Sequence, residues 1–154
     1  MIKNGIIAVS SQGAGGLNAP VDPRFGRCSS FTFVKIVDGK ISSVNTVDNA
    51  SRMASGGAGI NAAQTVSNYG ANVVLTGNVG PNAYHALASL NIAIYTGLAG
   101  MTVQEAVNKY LSGALQETSG ATVGSHYGMG GGGGRGMGGG RGMGGGRGMG
   151  RGRW

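Results

Sequence analysis

Cysteine occurs once in the 154 residues, at position 28. A single thiol excludes an internal disulfide and a multi-cysteine metal cage, and it suits a reducing compartment. Acids are nearly as scarce, with Asp22, Asp38, Asp48, Glu105 and Glu117 the only five. Asp38 stands before Gly39 in a turn signal and Glu105 in a helix cap. No acidic cluster remains for the paired metal ions of a nuclease. Long apolar runs are missing too. No stretch can span a membrane, and the apolar part of MIKNGIIAVSSQGAGG is too short for a signal peptide. The expected location is cytoplasmic. The lysine of a GxxxxGK[ST] loop is absent, as is full GxGxxG spacing. His85 falls in a predicted helix and His126 near the tail. Neither offers Cys28 a base, so hydrolase chemistry is unsupported.

Glycine is what the chain has in excess. Of 34 glycines, 17 lie between Gly128 and Gly152, in a GRGMGG repeat of six-residue period. Such a segment loses much backbone entropy on ordering and has almost no apolar surface to offset it. Residues 1–120 are therefore read as one α/β domain and residues 121–154 as a disordered Gly/Arg/Met-rich tail. The net charge of +7 divides along the same line. Arg135, Arg141, Arg147, Arg151 and Arg153 carry the tail without an acid. The domain holds seven bases against five acids, leaving only +2. The high pI belongs to the tail and says little about what the domain binds.

Along the domain the hydrophobic period changes once. Ile2–Ser10 reads as a buried strand, and residues 11–24 as a loop rich in Ser, Gly, Asn and Pro. Residues 31–37 and 41–47 read as strands joined by Asp38-Gly39, a two-residue hairpin signal. Ile60, Ala63 and Val66 then fall at helical spacing before Gly70. Residues 73–75 make a short strand, and Gly80-Pro81 opens a helix with Ala83, Leu87 and Leu90. Residues 92–95 make the last strand. Thr102-Val-Gln-Glu105 is a capping box before the last helix, which ends at Gly113. The order β-β-β-α-β-α-β-α predicts a five-stranded mixed sheet flanked by helices.

Three loops carry the candidate chemistry: Asp22–Cys28, Ser55–Gly59 and Gly77–Pro81. The second and third open helices, whose N–H groups and dipoles suit an anion. Arg24 and Arg27 add charged donors, and flanking arginines favour the thiolate of Cys28, a soft ligand for thiophilic metals. A plainer reading stands beside each. The glycines serve tight turns and close helix–strand packing, Cys28 is a small buried hydrophobe, and the arginines are surface charges. Met53 and Met101 are read as packing residues, and His85 as solvated or packed.

PRFGRC at 23–28, GGAG at 56–59, a strand followed by GxxGP at 77–81 and TVQEA at 102–106 occur together in one order and spacing. In these the chain resembles the dinitrogenase iron–molybdenum cofactor biosynthesis family, from residue 1 to about residue 115. That family includes NifX-like and NafY-like proteins and a domain attached to NifB, and orange-protein-type cluster binders form a related group. The resemblance implies a ribonuclease H-like sheet with a reversed second strand. It also implies non-catalytic binding of a cluster or precursor, iron–molybdenum-type or a molybdenum, copper or iron sulfide, with a cluster donor or acceptor protein as partner. Residue by residue it marks Arg24, Phe25, Gly26, Arg27 and Cys28, then Gly56, Gly57, Ala58 and Gly59, then Gly77, Gly80 and Pro81. Of these only Cys28 is marked toward the metal. Many members carry a histidine just before the GAG motif, where this chain has Ser55 and Gly56. A monomer or a small homo-oligomer is expected.

Three rival readings remain. The GGAG loop could serve a nucleotide- or phosphate-binding regulatory module. The Arg-Gly repeats could bind RNA weakly through charge and stacking. Met129, Met137, Met143 and Met149 with His126 could collect Cu(I). An inert tail is the plain alternative to the last two.

Overall fold

Asp38 and Gly39 both hold positive φ, 51° and 75°, as a type I′ hairpin turn requires. They join strand β2 (Ser30–Val37) to strand β3 (Lys40–Asp48), which pair antiparallel. This is a computed structural model, and it describes residues 2–54 and 56–124. The expectations placed on Ser55 and on residues 125–154 lie outside the described residues.

The other elements are β1 (Gly5–Ser11), α1 (Ala58–Asn68), β4 (Val73–Leu75), α2 (Pro81–Ser89), β5 (Ala93–Tyr95) and α3 (Val103–Leu111). The order is the expected β-β-β-α-β-α-β-α. The sheet runs β3-β2-β1-β4-β5. β2 is antiparallel to both its neighbours, while β1, β4 and β5 are parallel. This is the ribonuclease H-like mixed sheet with a reversed second strand. Because every strand but β2 runs the same way, the loops after β1, β3, β4 and β5 gather at one end.

Strand alternation divides the core into two layers. Ala8, Phe31, Phe33 and Val74 face α1 and α2, meeting Ala62, Ala63, Val66 and Leu87. Ile7, Val9, Val34, Ile36, Val73 and Leu75 face α3, meeting Val103, Ala106, Val107 and Tyr110. The capping box forms as read: Thr102 Oγ1 accepts from the Glu105 N–H at 3.1 Å, and Glu105 Oε1 accepts from the Thr102 N–H at 2.8 Å. No helix of the described residues is long and apolar enough to cross a membrane.

Three local readings change. β1 begins at Gly5, not Ile2, because the Ile2 N–H leaves the sheet for the Tyr110 hydroxyl at 2.9 Å. Ile60 is half exposed. The inward stripe of α1 is Ala58, Ala62, Ala63 and Val66, and at ~100° per residue Ile60 lies roughly 120° from Val66. Met53 does not pack at all; it is 84 % exposed, in the irregular segment between β3 and α1. Met101 does pack, against the α3-side core. Leu90, at the C-cap of α2, is borderline exposed.

Candidate functional site

The loop after β1 turns back on itself under a buried carboxylate. Asp22 is 1 % exposed, and one oxygen accepts both the Arg24 N–H at 2.9 Å and Arg24 Nε at 3.3 Å. The Arg24 side chain is held at its base yet stays 40 % exposed. Phe25 goes the other way. It is 2 % exposed and sits 5.4 Å from the Phe31 ring, within the core on the α1–α2 side. It supports the loop from below and presents nothing to a ligand.

Two backbone seams bring the three sequence-predicted loops together. Arg24 bridges Asn78 in parallel fashion; the Asn78 N–H donates to Pro23 O at 2.8 Å and the Phe25 N–H to Asn78 O at 3.3 Å. Gly77 permits this seam, since a Cβ there would stand 2.5 Å from Pro23 Cα. Gly26 permits the second. A Cβ on it would meet the Gly59 nitrogen at 2.9 Å, and one on Gly59 would meet Ala83 Cβ at 2.9 Å. Loop 22–28, the start of α1 and the start of α2 are thus in successive contact. Gly26, Gly59 and Gly77 are glycine because the backbones approach too closely for a side chain. Gly57, the N-cap of α1, has φ 73°. Gly56 is exposed with nothing within 4 Å of a Cβ, so no steric demand fixes it.

The helix starts differ in what they leave over. At α3 the first N–H groups are consumed: Val103 donates to Ala19 O at 2.8 Å, Gln104 to Leu17 O at 2.9 Å, and Glu105 to the capping threonine. Neither α1 nor α2 has a side-chain cap or an acid in its first turn. Among the described residues no acceptor meets the N–H groups of Ala58, Gly59 and Ile60, nor those of Asn82 and Ala83. Gly80 is the N-cap of α2 and Pro81 opens it, as read from the sequence. The two positive helix ends therefore meet at Gly59 and Ala83, and the backbone of Arg24 is joined at Asn78 to the loop that leads into α2.

Arg27 has another task. Its Nη1 donates to Arg52 O at 3.0 Å and to Ala54 O, and so ties down the segment before α1. Sequence reasoning missed Asn49, which ties the same loop to the end of β3. Asn49 is 1 % exposed; its Nδ2 donates to Gly26 O at 3.0 Å and Cys28 O at 2.9 Å, and its Oδ1 accepts from the Ser51 N–H at 3.1 Å. The only signal was an asparagine directly after a strand, a residue that readily closes local turns. His85 is exposed on α2, edge-on to Tyr84.

Cys28 does not have the environment expected from its arginine neighbours. It is fully buried; its Sγ donates to Phe25 O at 3.2 Å and accepts from Asn49 Nδ2 at 3.6 Å. Burial first, then the nearby Asp22 carboxylate, pushes its pKa far above the ordinary 9.0. The arginines do not offset this, because Arg24 serves Asp22 and Arg27 serves backbone carbonyls. The native thiol should therefore stay unlabelled by a disulfide reagent at neutral pH, while the urea-unfolded chain reacts fully; prompt native labelling would refute this. Stability should also fall above pH 9.0, the ordinary value, since the unfolded thiol then ionises and the folded one keeps its proton. Cys28→Ala would remove the part of that slope that begins near pH 9.0 and leave the part above pH 10.0 that comes from Tyr95, whose hydroxyl pKa is also pushed up by burial.

Among the described residues no three His, Cys, Asp or Glu side chains are grouped to hold a metal ion. The donor set is N–H groups and a guanidinium. It fits an anion with several acceptor atoms, not a bare cation.

The sequence pattern described as dinitrogenase iron-molybdenum cofactor matches residues 5–113. The apo orange protein of Desulfovibrio gigas is 43 % identical, with TM-score 0.72 over 78 % of this chain and 98 % of its own. A NifB-like protein of Thermotoga is 30 % identical, with TM-score 0.61 over 73 % of this chain and 92 % of its own. An uncharacterised protein of Methanocaldococcus jannaschii is 31 % identical over 100 residues, which is 65 % of this chain and 84 % of that one.

Proposed function

The chain belongs to the dinitrogenase iron–molybdenum cofactor family, and we propose that its domain binds an anionic metal–sulfur cluster or cluster precursor as cargo. The cargo is held at the rim formed by Arg24 and the starts of α1 and α2, and is passed on to an acceptor protein without chemical change. The observation that carries this reading is the pair of helix starts, of α1 and α2, that find no cap among the described residues, set against the fully satisfied start of α3. Terminal sulfides of a thiometallate are acceptors only, and N–H groups and a guanidinium are donors only. Carriage also asks for no catalytic base, in keeping with the exposed His85 and the neutral Cys28. Cys28 in this reading is part of the floor and not a metal ligand. The reduced, buried thiol suits the cytoplasm.

The test is anaerobic titration of the full chain with tetrathiomolybdate, followed by visible absorption and equilibrium dialysis. Binding at one site per chain is expected. Arg24→Ala should weaken it on the order of tenfold or more and should also lower the urea midpoint, since it strips the buried Asp22 carboxylate of its cation. Arg27→Ala should weaken it less and destabilise the segment before α1. A chain that ignores thiomolybdate but binds inorganic phosphate or ATP at the same residues would transfer the site to phosphate recognition.

A further inference from the structure

The backbone that leads from β4 into α2 is held group by group. The Gly97 N–H donates to Gly77 O at 2.9 Å, and Asn78 is held on both its polar groups by Pro23 and Phe25. The next residue, Val79, is held by the chain beyond α3. Its N–H donates to Thr122 Oγ1 at 2.9 Å, and its carbonyl accepts the Thr122 N–H at 2.8 Å and the Thr122 hydroxyl at 3.3 Å. The segment that brings Thr122 there is itself anchored. The Thr118 N–H donates to Ile94 O at 2.8 Å, the Thr118 and Thr96 hydroxyls stand 2.8 Å apart, and Val123 is buried. The family pattern ends at residue 113, so this segment lies outside it.

The carbonyl that Thr122 occupies bears directly on the anion site. In an α-helix each N–H donates to the carbonyl four residues back. The Ala83 N–H would therefore turn to Val79 O if α2 began one residue earlier. Two features prevent this. Pro81 disfavours a helical conformation at the residue before it, and Gly80 is extended, with φ −80° and ψ 172°. Thr122 takes the Val79 carbonyl for itself. Among the described residues the N–H groups of Gly80, Asn82 and Ala83 are then left without an acceptor, and Pro81 has no N–H to offer.

We propose that Thr122 is a positioning residue of the anion site: by fixing Val79 it holds the N–H groups of Gly80, Asn82 and Ala83 unspent and in place for the ligand. This rests on the anion-binding reading above. Thr122 touches no ligand in this role and acts through Val79. A loop that is fixed before binding loses less freedom when the ligand arrives, so the clasp raises affinity without adding a contact. Thr122 is exposed whereas Val79 is 1 % exposed, so a change at the threonine hydroxyl leaves the core intact.

The experiment compares the full chain with Thr122→Val and Thr122→Ser, using tetrathiomolybdate as the probe and urea unfolding of each chain. Thr122→Val keeps the shape and the backbone N–H but removes the oxygen that accepts from Val79. It should bind roughly three- to tenfold more weakly, the size of one lost hydrogen bond, while Thr122→Ser should stay within about twofold of the unmodified chain. A lower urea midpoint in Thr122→Val with unchanged affinity would make the clasp a purely structural tie and overturn the proposal. Equal weakening by valine and serine would overturn it too, since serine keeps the oxygen. A second measurement needs no variant. In the ligand-free chain the Val79 amide should exchange slowly with deuterium, and thiomolybdate should shift the amide resonances of Gly80, Asn82 and Ala83 more than that of Val79. Fast exchange at Val79 would overturn the proposal. No binding by the unmodified chain would remove the anion-binding reading itself, and this proposal with it.

Discussion

Phe25→Ala is expected to lower the stability of the domain by about 3–5 kcal/mol, the cost of emptying a buried aromatic position. Phe25 lies in the sequence motif that marks the site, between Arg24 and Gly26, yet its ring is 2 % exposed and packs against Phe31 in the same core as Cys28, Val79 and Ala83. The loss should appear as a shift of the urea midpoint with little change in slope. Phe25→Leu should recover most of it, being apolar and closer in volume. Any loss of anion binding in Phe25→Ala should follow from loosening of loop 22–28 and should shrink as the protein is stabilised. A midpoint shift worth less than about 1 kcal/mol together with abolished binding would contradict this. It would make Phe25 a residue that touches the ligand.

Gly77→Ala should damage the site and the fold together. The added carbon would stand 2.5 Å from Pro23 Cα, 3.0 Å from Pro23 O and 3.2 Å from Ala99 Cβ. Two of these are backbone atoms, which cannot swing aside as a flexible side-chain end can. The seam between Asn78 and residues 23–25 must then open or shift, at about 1–3 kcal/mol, the usual cost of overpacking. Arg24 is carried by that seam and moves with it. Thiomolybdate affinity should fall by at least about tenfold, which corresponds to about 1.4 kcal/mol. Gly56→Ala is the control, since it is exposed with no atom within 4 Å of the new carbon. It should leave the urea midpoint unchanged. If Gly77→Ala behaves like Gly56→Ala in both unfolding and binding, the close approach of the two loops is not what organises the site.

These contrasts show how far the motif reading reached. The loops at 22–28, 56–59 and 77–81 were marked from the sequence, and the fold brings them into successive contact. Their residues divide by role in a way the linear pattern does not show. Arg24 faces out, Phe25 and Cys28 face in, Arg27 turns to the Arg52 and Ala54 carbonyls, and three glycines mark backbone crossings. Arg24 and Arg27 look equivalent in PRFGRC. Only the position of Asp22 and of the segment before α1 separates them. Asn49 and Thr122, which hold the site from β3 and from the chain beyond α3, carried too little local signal to be selected.

What the sequence by itself determined is local. A DG pair needs two positive φ values, and it gave the hairpin. A TxxE box satisfies two orphan N–H groups within four residues, and it gave the start of α3. Alternating and helical periods gave the strand and helix order, because each element's apolar face repeats with its own geometry. The tertiary structure alone decided the rest. It set the order β3-β2-β1-β4-β5 and the placing of α1 and α2 opposite α3. It also settled the protonation of Cys28, which depends on desolvation and on Asp22 rather than on its sequence neighbours. Charge on a thiol, solvent around an arginine and an acceptor for a helix N–H are all set by what comes near in space. For this chain, those neighbours come from segments far apart in sequence, as where Val103 and Gln104 at the start of α3 donate to Ala19 O and Leu17 O.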